Sequence, residues 1–207
     1  MGIEVEILST LIRGGTMKTI VFDFDGTLYE SSAGIEQQLR PLMVQRAARA
    51  LGTSSEEARR ILREYRAQYK SSVIGLREHR GIDPEAFLQG VYDDLDVTRM
   101  LPRPGLRVEL DRLRKVLPLV VFTNSNRSFT HRAIGRLGLD GVFDTVLTVE
   151  DNGFIRKPEP EAYDGLYRNL GVSPGCVVMF DDIASSLRIM KGFGSKTILV
   201  GNGLRPE

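Results

Sequence analysis

Five short apolar or β-branched runs, at residues 18–24, 119–123, 145–149, 177–180 and 197–200, constrain what this chain can fold into more than any other feature. They have strand length and composition, and helical patterns separate most of them. After Pro104, residues Leu106, Leu110 and Leu113 fall at helical spacing. Residues 128–138 run from a candidate cap, Ser128, to Gly138, and residues 160–171 run to a terminating Gly171. Such alternation predicts an α/β fold with a doubly wound parallel sheet, a Rossmann-like core whose ligands sit beyond the carboxyl ends of the strands.

The alternation is broken between the first two runs, where residues 30–102 contain no convincing strand and read as three or four helices. Ile35, Leu39, Leu42 and Met43 mark the first. Ser54 with Glu57 is a candidate capping box for the second, which carries Ala58, Leu62, Tyr65 and Tyr69. Asp83-Pro84 opens another, with Phe87, Val91 and Leu95. The expected organisation is therefore an extension at 1–16 with no catalytic part, a core from 17–29 and 103–207, and an inserted all-helical cap at 30–102. Chain order makes that cap a lid over whatever lies at the end of the first strand.

Two aspartates lie there. Asp23 and Asp25 stand two positions apart in "VFDFDGTLY". A calcium loop is excluded, because Thr27, Leu28 and Gly34 occupy positions that would need an acid or amide, a glycine and a glutamate. A turn built on Asp25-Gly26-Thr27 explains one aspartate but leaves Asp23 unaccounted for. A second apolar run, "VVMF", ends in Asp181 and Asp182. Four carboxylates at one sheet edge repel one another by several kcal/mol at ~4 Å and intermediate dielectric, which a hard divalent ion such as Mg²⁺ offsets. A third run ends in Thr123-Asn124, where a hydroxyl and a backbone N–H can hold an anion's oxygens. Lys157, ahead of Pro158 and a helix, supplies a cation. Singly, each has a structural explanation: Thr123 in a capping region, Lys157 as a solvated charge, Asp181-Asp182 as a helix start.

In joint order they form a known series. From residue 17 onward the chain resembles the haloacid dehalogenase-like superfamily, with D-x-D-x-T at residues 23–27, then Thr123, Lys157 and the pair Asp181-Asp182. The resemblance implies Asp23 as nucleophile, carrying an aspartyl phosphate, and Asp25 as acid and base. It implies Mg²⁺ on Asp23, the Asp25 carbonyl and Asp182, with Asp181 bound directly or one shell out. Thr123, Asn124 and Lys157 would bind the phosphoryl group. Dehalogenases of the superfamily lack the second aspartate, so Asp25 points to a phosphatase or a phosphomutase. The stretches "DGTLYESSAGI", "YKSSVIGLREHRGID", "PRPGLRVELDRL" and "KPEPEAY" are similar to the pyrimidine 5′-nucleotidase branch.

The expectation is a Mg²⁺-dependent phosphomonoesterase acting on a small phosphorylated metabolite, such as a pyrimidine nucleotide. The alternatives are a sugar phosphomutase or a non-catalytic protein that binds a phosphorylated ligand. Lid-side candidates for substrate contact are Ser31, Ser32, Tyr69, Ser71, Ser72 and His79, each equally explicable by packing or surface polarity. Arg59, Arg63, Arg66 and Lys70 share a helical face, but interleaved Glu56, Glu57 and Glu64 make it read as a solvated one.

Lys and Arg total 28 against 27 acids, so no global charge draws the chain to nucleic acid or to an anionic membrane. With 42% hydrophobic and 27% charged residues, the composition is that of a folded globular chain. No apolar segment reaches membrane-spanning length, and the first ten residues lack signal-peptide character. The lone Cys176 is expected to be a buried, inert thiol, which suits a cytoplasmic protein. His131 has no acidic or cysteine neighbours in sequence and is given no role.

Overall fold

The computed structural model describes residues 17–201; the expected extension at 1–16 lies outside them. Five strands, β1 (Thr19–Phe22), β2 (Leu119–Phe122), β3 (Thr145–Leu147), β4 (Val177–Asp181) and β5 (Lys196–Leu199), form one sheet. Its order is β3-β2-β1-β4-β5 and every pairing is parallel. The chain therefore winds outward from β1 through β2 to β3, then returns to the other side of β1 for β4 and β5. That reversal leaves a crevice between β1 and β4, where doubly wound sheets bind their ligands.

Burial on both faces explains why the central strands read as continuous apolar runs. Ile20, Phe22, Val121, Val178 and Phe180 pack on one side, with helices α5 (Leu106–Arg114) and α6 (Arg127–Arg136) supplying Leu110, Leu113, Phe129 and Ile134. Val21, Val120, Phe122, Val177 and Met179 face the other, against Tyr163 and Leu166 of α7 (Pro160–Leu170) and Leu187 and Met190 of α8 (Ala184–Gly192). Phe22 opposes Phe180 in register and stacks on it with ring centroids 4.9 Å apart. The same register carries forward by one residue, so Asp23 leaves the sheet beside Asp181.

Between β1 and β2 the chain forms a 3-10 turn at Ser31–Ala33 and four helices: α1 (Ile35–Leu51), α2 (Ser55–Tyr69), α3 (Ser72–Arg80) and α4 (Pro84–Asp93). Ser54 caps α2 by accepting from the Glu57 N–H at 3.2 Å, and Asp83 caps α4 by accepting from Ala86 at 2.7 Å. Glu57 turns to Arg60 at 2.5 Å. The apolar residues of these helices, among them Leu62, Leu76, Phe87 and Tyr92, belong to the same cluster as the Phe22 face of the sheet. Two further contacts seat them on the core. Gln89 donates to Ser128 at 3.1 Å beside α6, and Lys70 donates to Glu161 at 2.6 Å on α7.

Two local expectations are corrected. Helix α6 is capped by Asn126, whose carboxamide oxygen accepts from the Phe129 N–H at 3.1 Å, and not by Ser128, whose hydroxyl faces Gln89. Cys176 is half-buried, because it closes the 3-10 turn Pro174–Cys176 one residue before the buried strand β4 begins. Among the described residues, no helix is long and apolar enough to cross a membrane.

Candidate active site

The acidic ends of β1 and β4 meet a buried cation. Asp23 is 6% exposed, Asp181 is fully buried, and Lys157 reaches both from the loop before α7. Its ammonium lies 2.7 Å from Asp23 Oδ1 and 3.1 Å from Asp181 Oδ2. Burial works against the lysine's charge, but Asp181 and Asp23 more than offset it and hold its pKa above the usual range. Burial pushes Asp181 upward and Asp23 adds to the effect, while Lys157 and the Ile183 N–H, 2.8 Å from Asp181 Oδ1, oppose it. Asp182 lies alongside: oxygens of Asp23, Asp181 and Asp182 fall within 4.8 Å of one another.

Asn124 fixes the loop that delivers the lysine. Its carboxamide accepts from the Lys157 N–H at 2.7 Å and donates to the Lys157 carbonyl at 3.1 Å. These two bonds tie the end of β2 to a residue 33 positions further along the chain. Thr27 donates to Asp23 Oδ2 at 3.1 Å, so both oxygens of Asp23 are held.

Asp25 has different company. Its Oδ2 accepts from Ser125 at 2.8 Å and from Thr123 at 3.2 Å, and its Oδ1 from the Tyr29 hydroxyl. These three donors favour the carboxylate, yet burial and the neighbouring Asp23 outweigh them and raise its pKa. Thr123 itself is 1% exposed, and its oxygen also accepts from the Ser125 N–H at 3.0 Å. Its hydroxyl thus helps to orient Asp25. Ser125 and Tyr29 were not among the residues singled out from sequence. A serine two residues past a strand carries no distinguishing pattern, and Tyr29 closes the first core segment with nothing in its spacing to mark it.

A cavity of 410 Å³ opens over this cluster, lined by Asp23, Asp25, Gly26, Asn124, Ser125 and Lys157 from the core and by Ser31, Ile35, Leu39, Arg40 and Tyr92 from the segment between β1 and β2. Of the six lid-side candidates, only Ser31 lines it. Tyr69 and His79 bond to each other at 2.6 Å, with Tyr65 stacked on His79, and Ser71 is buried within the helical layer. The cationic face is exposed throughout, but its partners differ: Lys70 pairs with Glu161 and Glu159, and Arg66 comes near Arg40 and Arg156.

A family model described as haloacid dehalogenase-like hydrolase matches residues 17–194, nearly all of the described chain. The chain belongs to the haloacid dehalogenase-like hydrolases. Among its relatives in that family, phosphate metabolism protein 8 of Saccharomyces cerevisiae is 26% identical, over 86% of this chain and 59% of its own length. The chain thus spans less than two thirds of that relative. Glyceraldehyde 3-phosphate phosphatase of Methanopyrus kandleri is 28% identical, over 90% of this chain and 85% of that protein. The solved structure of a haloacid dehalogenase-like phosphatase from Thermococcus onnurineus superposes with a TM-score of 0.55 at 27% identity, covering 92% of this chain and 89% of that one. The haloacid dehalogenase-like hydrolase described here therefore has phosphatases among its relatives, and its parallel sheet is the fold they share.

Proposed function

We propose that the chain is a phosphomonoesterase that hydrolyses a small phosphorylated metabolite through an aspartyl-phosphate intermediate, with residues 30–102 acting as its cap. The observation that carries this reading is the division of labour between two aspartates on one cavity. Asp23 is ion-paired to Lys157, whereas Asp25 has its proton affinity raised and three hydroxyls fixing its orientation. A carboxylate paired with an ammonium, next to one whose proton affinity is raised, is what nucleophilic and acid-base roles require.

Asp23 attacks phosphorus while the ester P–O bond breaks, and Asp25 gives its proton to the leaving oxygen. In the second half Asp25 takes a proton from water, water oxygen bonds to phosphorus, and the bond to Asp23 breaks to release phosphate. Lys157 keeps the attacking carboxylate aimed and offsets charge on the phosphoryl oxygens, while Asn124 keeps Lys157 in place. Thr123 and the backbone N–H of Asn124 are the donors from the β2 end for those oxygens.

Three clustered carboxylates against one ammonium leave the site with excess negative charge, and all the donors are hard oxygens, which fits Mg²⁺. Asp23 and Asp182 would hold it together with the Asp25 carbonyl; Asp181, whose oxygens already receive Lys157 and the Ile183 N–H, supports from outside. When bound, the ion neutralises charge on the transferring group. We assign the protein to the cytoplasm, which a single cysteine supports.

The test is phosphate release from an aryl phosphate with and without Mg²⁺, for the native chain and Asp23→Asn. Turnover by the variant at the native rate sinks the covalent route. A panel of UMP, CMP, purine nucleotides, phosphoglycolate and sugar phosphates then assigns the substrate and examines the narrower pyrimidine-nucleotide reading. Isomerisation of a hexose phosphate without net release would favour a mutase.

A further inference from the structure

The charge on the cavity wall is not accounted for by the chemistry at its floor. Arg156, the residue before Lys157, lines the same cavity. Its Nε is buried with no hydrogen-bond acceptor, and among the described residues no carboxylate stands within ion-pair distance of its guanidinium. An arginine cannot relieve this by losing its proton, so an unanswered buried donor is a standing cost unless something else fills it.

Two more guanidiniums converge from separate elements. Arg40 lines the cavity from α1, with its exposed side chain paired to Glu36 at 2.7 Å. Arg66 approaches from α2, exposed at the rim and not in the cavity wall; partial desolvation and the nearness of Arg156 and Arg40 hold its pKa below the usual range, with Glu159 acting in the opposite sense. Glu36 and Glu159 are acids nearby, and Glu150, which like Arg156 acts on Tyr92, is another; among the described residues none of the three forms an ion pair with Arg156. The three carboxylates at the floor cannot serve as counter-charges either: Lys157 pairs with two of them, and the cluster as a whole is suited to a divalent cation.

The geometry points to a second anion subsite centred on Arg156, with Arg66 and Arg40 beside it, so that the preferred substrate carries a further carboxylate or phosphoryl group besides the one transferred. This rests on the phosphatase reading for the position of the transferred group. Planar guanidinium forks suit both kinds of anion, bidentately. A cavity of 410 Å³ takes a small metabolite with its two ends bound at once. The subsite also gives the cap a share in selectivity, because Arg40 and Arg66 come from α1 and α2 while Arg156 belongs to the core.

Calorimetric titration of the full chain in Mg²⁺ with three unreactive phosphonates tests this: propylphosphonate, 3-phosphonopropionate and propane-1,3-diphosphonate. The expected result is that at least one of the two anion-tailed ligands binds about tenfold or more tighter than propylphosphonate, the stronger of them identifying carboxylate or phosphoryl as the tail. Arg156→Gln then removes that preference, and Arg156→Lys restores part of it. Equal affinity of the native chain for all three ligands overturns the subsite. So does an Arg156→Gln variant that weakens propylphosphonate as much as the other two, since that loss would be structural. Failure of the phosphatase reading shows separately, as absence of phosphate release from every ester while the tail preference persists.

Discussion

Lys157→Met removes a cation paired with two buried carboxylates, and its consequence for stability follows from the distances. At 2.7 and 3.1 Å, and an effective dielectric of ~20, each ion pair has a gross attraction of roughly 5–6 kcal/mol, against which stands desolvation of the ammonium. Deleting one partner of a buried pair leaves the other charge uncompensated, and the net loss is about 3–5 kcal/mol. Urea unfolding with the divalent ion chelated measures it. The loss also depends on pH, with a definite sign. Asp181 holds its proton more tightly in the folded state than an ordinary carboxylate does, through burial and Asp23. Its protonated form therefore favours folding at low pH, and that contribution is lost as pH rises through its raised value. Lys157 opposes the shift, so without it Asp181 is protonated over a wider range and the deficit of the variant is smaller at pH 5 than at pH 8. Mg²⁺ at pH 8 should recover part of the loss. A deficit under about 1 kcal/mol, the worth of an exposed pair, or one equal at both pH values, would refute the assignment of a buried charge cluster.

Tyr29→Phe deletes one of three hydroxyls that favour the Asp25 carboxylate, so the Asp25 pKa rises further. Because the acid form protonates the leaving group, the alkaline limb of the pH-rate profile should move to higher pH; a downward shift would contradict this role. Gly75→Ala should destabilise by about 1–3 kcal/mol, although glycine to alanine within a helix ordinarily gains ~1 kcal/mol. A Cβ at residue 75 would overlap Cβ and Cγ of Tyr65, where α3 packs on α2, and thermal unfolding reads the sign.

The order of elements and most of the site were legible along the chain, and for a local reason. Strands buried on both faces must be apolar throughout, so charges appear abruptly where such a strand leaves the sheet, as at Asp23 and Asp181. Capping is local too, which is why Ser54 and Asp83 could be read directly. Asn126 was missed in favour of Ser128 because two capping residues stand two positions apart, and only the direction of the Ser128 side chain, toward Gln89, separates them.

The sequence by itself determined a parallel α/β core, a helical segment between its first two strands, and an acidic constellation with one lysine. Tertiary structure alone decided the rest. The order β3-β2-β1-β4-β5 and the Phe22 to Phe180 register set Asp23 beside Asp181, a pairing that no local pattern encodes. Ser125 reaches Asp25 across 100 residues of chain and Lys157 reaches Asp23 across 134. The convergence of Arg40, Arg66 and Arg156 has the same origin. Each lies in a separate segment, of which only the one carrying Arg66 reads by its own pattern as a solvated face, and charge interacts through distance in space, which a linear spacing does not contain.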